Sequence, residues 1–159
     1  MKSRPVFIIY FIMSAVFLAL DRVFKNLVVD NMQLGEAIPS QDAFVSIRYV
    51  QNTGVSFSFF SGQTEILIVV QSVLFFVVVF ACIVTYTRLR HPLLQTSLSW
   101  IAAGGAGNLI DRISHGYVID YISVGTFPVW NFADMCIVGG CILLGIYILF
   151  IYGKSRSHG

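Results

Sequence analysis

The run 66–86 contains no charged residue, and three further apolar runs accompany it at 5–20, 92–110 and 133–152. A helix rises 1.5 Å per residue, so about 20 mostly apolar residues cross the hydrocarbon core of a bilayer. The chain is 57% hydrophobic and 11% charged, whereas soluble domains carry about a quarter charged residues. A bilayer can absorb that much apolar surface; a water-soluble core of this size cannot. The expected fold is an all-α membrane protein with four transmembrane helices, in a single domain over 1–159. The run 92–110 is the least apolar, with Gln95, Ser97 and Ser99 followed by Ala102 to Gly107. Small residues let helix backbones approach closely in a membrane, so this span should be the packed centre of the bundle. Lys2 and Arg4 precede the first run as in a signal peptide. No small-x-small cleavage site follows it, however, and Asp21-Arg22 comes next, so the span is read as retained.

Charge gives the orientation. Lys2, Arg4, Arg88, Arg90, Lys154 and Arg156 fall on the side of the two termini, and all eight acids fall on the other. The positive-inside rule then places both termini in the cytoplasm and the acids at the outer surface. A net charge of +2 gives no nucleic-acid footprint. Cys82, Cys136 and Cys141 all sit in apolar runs, and their odd number supplies neither a disulfide framework nor a metal spacing.

The outer stretch 26–65 reads as a small β-cradle. Val45, Ile47 and Tyr49 alternate with polar residues, and so do Val55, Phe57 and Phe59. Period two means strands with one apolar face, and Asn52-Thr53-Gly54 between them predicts a hairpin. The second outer segment, 111–132, mixes Asp111, Arg112 and Asp120 with Tyr117, Val118, Ile119, Tyr121, Phe127 and Trp130. Such apolar company implies a loop close to lipid.

Ionisable groups near a membrane are costly and are functional candidates by default. His91 and His158 fall on the inner side and His115 stands alone, so no Ser-His-Asp arrangement or zinc cluster is expected. The glycines at 104, 105 and 107 lack the Lys-Ser or Lys-Thr of a phosphate loop. Carboxylates remain. Asp120 and Asp134 flank a short connection that would let them meet at the membrane surface. Two carboxylates within about 3 Å share one proton, which is the chemistry of an aspartic protease. A plainer reading stands beside it: Asn131 is a good N-cap, Asp134 three residues on completes a capping box, and Asp120 is a solvated loop acid. Asp21 and Lys25 form an i, i+4 pair worth a few tenths of a kcal/mol (about 0.3), and Asp111-Arg112 closes the third helix.

Taken in chain order, these residues resemble the lipoprotein signal peptidases (signal peptidase II). Asp21 and Lys25 match an Asp-x-x-x-Lys motif after the first span. Asn52-Thr53-Gly54-Val55-Ser56-Phe57 matches an Asn-x-Gly-Ala-small-aromatic block. Gly107-Asn108-Leu109-Ile110-Asp111-Arg112 matches Gly-Asn-x-x-Asp-Arg. Val118-Ile119-Asp120-Tyr121 resembles Val-Val-Asp-Phe, and Trp130-Asn131-Phe132-Ala133-Asp134 resembles Phe-Asn-x-Ala-Asp. The resemblance implies four transmembrane helices with a small extracytoplasmic β-cradle, in the bacterial cytoplasmic (inner) membrane. It implies a membrane aspartic endopeptidase that removes the signal peptide of a prolipoprotein before a diacylglyceryl-modified cysteine. By the same match, Asp120 and Asp134 are the catalytic dyad. Asn52, Gly54, Asn108, Arg112, Asn131 and Ala133 position substrate or support the dyad, while Asp21, Lys25 and Asp111 are architectural. The implied partners are lipid-modified prolipoproteins, membrane lipid and the cyclic peptide inhibitor globomycin. The enzyme would be a monomer that needs no cofactor or metal and binds no nucleic acid.

Arg22, Val55, Tyr121, Trp130 and Met135 depart from the family's usual Gln, Ala, Phe, Phe and Ser. None removes a catalytic group, but Val55 and Met135 are larger and could reshape the pocket. Within the dyad, Asp134 lies in a first helical turn, where the dipole favours the anion. Asp120 lies in an apolar stretch, where desolvation favours the neutral acid. Asp134 is therefore the expected base and Asp120 the expected proton holder. A proton-coupled transporter would need ionisable groups at mid-membrane depth, which these runs lack. A non-cutting binder of lipidated signal peptides would not need both Asp residues.

Overall fold

The computed structural model describes residues 4–54 and 64–152. Its elements are α1 (Arg4–Asn31), β1 (Ala37–Ile38), β2 (Val45–Asn52), α2 (Thr64–Arg88), α3 (Pro92–His115), β3 (Val118–Val124) and α4 (Phe132–Ile146). A π-helical stretch, Tyr147–Tyr152, extends α4. At 28, 25 and 24 residues, α1, α2 and α3 are each longer than the ~30 Å hydrocarbon core.

Two helical segments, Glu65–Arg88 and Phe132–Tyr152, are long and apolar enough by composition to cross a membrane. Their exposed surfaces are apolar: Val69, Val73, Phe76 and Phe80 on α2, and Val138, Ile142, Leu149 and Phe150 along α4 and its extension. On α1, Ile8, Ile9, Phe11 and Ile12 are likewise exposed. An apolar belt of this extent suits lipid, not water.

α3 packs against α1, α2 and α4, as the small residues of 92–110 imply. A Cβ on Gly104 would collide with the carbonyl oxygen of Ala133, and one on Gly140 would lie 2.7 Å from Ser97 O and from Ile101 Cγ1. The α3–α4 approach therefore depends on backbone-to-backbone contact at these two glycines. Trp100, Phe17, Phe132 and Phe24 form an aromatic column between α1, α3 and the start of α4, with successive ring centroids 5.3, 5.9 and 5.5 Å apart.

Helix ends follow local chemistry. Pro92 opens α3, and Gly116, at φ 81°, ends it by donating its N–H to Arg112 O. Glycine adopts this left-handed conformation without steric cost. α1 extends well beyond the expected end of the first span at residue 20, because its charged side chains find partners inside the protein. The expected β-cradle segment 26–65 is thereby shortened at both ends, since α2 already begins at Thr64.

The three strands form one antiparallel sheet in the order β1-β2-β3. The expected strand over 45–49 exists, but it pairs with β1 and with β3. The proposed hairpin partner over 55–59 lies outside the described residues. Read from sequence as a loop, 118–124 is in fact a strand. Ile119 and Tyr121 pack with Val28 and Tyr49 against α1, and Val118 and Asp120 point the other way, into a cavity.

Candidate active site

Asp120 enters the site from the sheet. A register shift between Ile47 and Val50 sets Val50 opposite Asp120, so Asn52, two residues on, shares that face of the sheet. Asn52 Nδ2 donates to Asp120 Oδ2 at 2.8 Å, and Asn52 Oδ1 accepts the Gly54 N–H at 3.0 Å. The second oxygen, Oδ1, accepts from Asn131 Nδ2 at 2.6 Å. Asp120 is only 2% exposed, so it is not the solvated loop acid of the plainer reading. Burial, followed by the negative charge of Asp134, pushes its carboxyl up to about 7, against the opposing pull of the Asn52 and Asn131 donors and the charge of Lys25.

Asp134 enters from α4. It is the third residue of a complete capping box: Asn131 Oδ1 accepts the Asp134 N–H at 2.9 Å, and Asp134 Oδ2 accepts the Asn131 N–H at 3.1 Å. Its other oxygen, Oδ1, accepts from Asn108 Nδ2 at 2.7 Å. The cap and the candidate catalytic carboxyl are thus the same group. Asn131, fully buried, touches both acids: its side-chain amide holds Asp120 and its backbone and carbonyl hold Asp134. Asn108 receives both Lys25 Nζ and Asn131 Nδ2 on its Oδ1, each at 3.1 Å.

The remaining first-turn donors of α4 are also satisfied. Ala133 N–H reaches Asp21 Oδ1 at 3.1 Å, and Phe132 N–H reaches the Tyr121 hydroxyl at 3.3 Å. Helix starts leave such donors without intrahelical partners; here α1 and β3 supply acceptors and fix where α4 begins.

Behind the two acids lies a compact charged group. Lys25 Nζ sits 2.8 Å from Asp111 Oδ2 and 3.1 Å from Asp21 Oδ2, and all three side chains are essentially inaccessible. Arg22 pairs with Asp21, reaches Asp111 Oδ1 at 2.6 Å and donates to Gly107 O at 2.9 Å. Asp111 Oδ2 also accepts the Ile119 N–H at 3.1 Å, anchoring the start of β3. Two acids and two bases balance. The few tenths of a kcal/mol (about 0.3) of a bare i, i+4 pair does not describe Asp21 and Lys25: buried, the pair depends on completed partners and is costly to break.

Arg112 lies in the last turn of α3, as expected, and its carbonyl accepts the Gly116 N–H, but its side chain does more than complement the helix end. Its guanidinium donates to Gln71 Oε1 on α2 at 2.9 Å and to Gly54 O at 2.8 Å. Gln71 and Arg22 were not singled out as site residues in the sequence. The signal available was a lone amide in an otherwise apolar α2, and a second charge beside Asp21 inside a helix.

Asn52, Gly54, Asn108, Arg112, Asp120 and Asp134 line one cavity of about 810 Å³. Apart from Gln71, its other walls are apolar, including Val70 and Leu74 of α2, Val138 of α4, and Phe127 and Trp130 of the β3–α4 connection. Val70, Leu74 and Val138 are also exposed on the outside of the bundle, so apolar walls run from the acids towards the belt surface. Asn131 and Ala133 lie beneath this surface, fully buried. Met135 is exposed and stands off the cavity, so it does not reshape the pocket as its size suggested; Val55 lies outside the described residues.

The family model described as Signal peptidase (SPase) II matches residues 13–150. A lipoprotein signal peptidase of Dehalococcoides mccartyi is 38% identical over 157 residues, covering 96% of this chain and 94% of the relative. That of Moorella thermoacetica is 34% identical over 146 residues, covering 92% and 96%. That of Enterococcus faecalis is 32% identical over 154 residues, covering 96% and 94%. A solved bacterial membrane enzyme superposes with a TM-score of 0.77 at 25% identity, over 88% of this chain and 87% of that one. The arrangement of acids, amides and apolar cavity therefore sits on a fold and a sequence that agree, and the chain belongs to the signal peptidase II family.

Proposed function

We propose that this protein is an aspartic endopeptidase of the bacterial inner membrane. It removes signal peptides from diacylglyceryl-modified prolipoproteins, cutting before the lipidated cysteine. The observation that carries this reading is the pair Asp120 and Asp134, held by one asparagine at the polar end of an otherwise apolar cavity. Peptide would occupy the polar end and acyl chains the apolar walls that continue to the belt.

Asp120, with its carboxyl raised to about 7, is the member of the pair that holds the proton. Asp134, at the positive end of the α4 dipole, is the member that ionises first. Asp134 takes a proton from water as the water oxygen attacks the scissile carbonyl carbon. Asp120 gives its proton to the carbonyl oxygen, forming a neutral gem-diol. On collapse a diol proton returns to Asp120, and the proton on Asp134 passes to the leaving nitrogen as the C–N bond breaks. Both acids end as they began, and one water is consumed. The pair titrates jointly, so only apparent values describe it.

Four helices would span the membrane, with both termini cytoplasmic and the acids at the outer surface; the charge distribution supports this topology. The test is a gel-shift cleavage assay of purified protein with prolipoprotein bearing or lacking diacylglycerol, beside Asp120→Asn and Asp134→Asn. Cleavage of the lipidated form alone, abolished in both variants, is expected. Normal cleavage by either variant refutes the dyad.

A further inference from the structure

α2 meets the rest of the described structure chiefly through α3, and polar contacts help to fasten it there. Near the inner end, Gln95 Nε2 donates to Thr85 Oγ1 at 3.0 Å. Near the outer end, Gln71 Oε1 accepts from Arg112 Nη1 at 2.9 Å. Only the outer contact continues. The same guanidinium donates to Gly54 O at 2.8 Å; the Gly54 N–H donates to Asn52 Oδ1 at 3.0 Å; and Asn52 Nδ2 donates to Asp120 Oδ2 at 2.8 Å. These hydrogen bonds, linked through the Gly54 backbone between its carbonyl and its N–H, join a helix at the belt to a carboxyl in the site.

We infer that Gln71 is a positioning residue for Asp120, acting through Arg112, Gly54 and Asn52. An amide in an apolar helix is costly to leave without a partner, and here its acceptor oxygen holds one prong of the guanidinium. With that prong fixed, the other prong holds the Gly54 carbonyl and so restrains the residue whose N–H meets Asn52. Both groups of the Asn52 amide are then committed, the carbonyl to Gly54 and the NH2 to Asp120. Val70 and Leu74, beside Gln71 on α2, wall the apolar part of the cavity. Material lodged between α2 and α4 would therefore act on the same helix that holds Asp120 in register. This inference rests on the catalytic reading of Asp120 only for its effect on cleavage.

The charged groups around Asp120 are Asp134 of α4, Lys25 of α1 and Arg112 of α3; Gln71 replacements change none of these charges and free one prong of Arg112. A donor to a carboxylate favours its charged form. Loosening Asn52 should therefore raise the pH at which Asp120 ionises. The experiment is an infrared titration of the protonated-carboxyl band that Asp120→Asn removes, on full-length protein in micelles, with cleavage followed across the same pH range. Gln71→Met, which keeps length and loses the acceptor, should move the midpoint up by about 0.5 pH unit, the scale of one modest hydrogen bond. Gln71→Asn, one methylene short, should move it the same way and keeps the question open to measurement if the Met variant does not fold. Thr85→Val removes the inner α2–α3 polar contact with Gln95 and should leave the midpoint as in wild type. An unmoved midpoint in the Gln71 variants, or an equal shift in Thr85→Val, overturns the inference. A shifted midpoint whose cleavage profile does not follow supports the relay and refutes the catalytic role of Asp120.

Discussion

Asp120 and Asp134 show how one residue type takes two roles from its surroundings. Asp120 is buried on β3 at the wall of the cavity, and its raised carboxyl makes ionisation unfavourable in the folded protein. An unfolded aspartate ionises near pH 3.9. Stability from this group is therefore complete below about pH 4 and is lost as pH rises towards 7. Asn is neutral at every pH, although its NH2 cannot accept from Asn52 or Asn131 as an Asp120 oxygen does. The difference in unfolding temperature between Asp120→Asn and wild type should accordingly move in favour of the variant from pH 5 to pH 8; thermal scans at the two pH values check this. Cleavage by wild type should decline as pH passes about 7, because the pair then loses its shared proton. Lys25→Met strands two buried carboxylates beside Arg22 alone, a change that should cost about 3–5 kcal/mol, measurable by denaturant unfolding in micelles. The acids themselves were legible from short motifs. Gln71 and Arg22 were not, because their partners lie 41 and 89 positions away, and no local pattern encodes that meeting.

The elements divide by how local their causes are. The runs 66–86 and 92–110 read correctly as α2 and α3 because apolar length and small-residue content are local properties. The stretch 118–124 did not read as a strand, because both of its faces are covered and the alternation that marks a half-buried strand is missing. The end of α1 was missed because Asp21, Arg22 and Lys25 look like exposed polar residues until α3 is placed beside them. The α3–α4 seam separates neighbouring glycines sharply. Gly104→Ala meets the Ala133 carbonyl and should cost about 1–3 kcal/mol or more by overpacking. Gly105→Ala, whose nearest neighbour is Phe75 at 3.9 Å, should be tolerated. Retention of monodisperse protein on heating in detergent would rank the two.

At the scale of the whole molecule, polarity is sorted by depth. The described charges either cluster around the site and sheet or, like Arg88 and Arg90, stand at the opposite end of α2. Between them the exposed surface is almost wholly aliphatic and aromatic. That sorting makes the proposed orientation testable without activity. Asp42, exposed near the sheet, and Arg90, exposed in the α2–α3 turn, should lie on opposite sides of the membrane. A membrane-impermeant charged maleimide applied to intact spheroplasts should label Asp42→Cys. Arg90→Cys should react only after the membrane is permeabilised. The native Cys82, Cys136 and Cys141 sit within α2 and α4, where a charged reagent has no access while lipid surrounds them, so wild type is the blank. Labelling of Arg90→Cys in intact spheroplasts would invert the topology and put the acids on the cytoplasmic face. That outcome would refute the proposed placement of the acids at the outer surface.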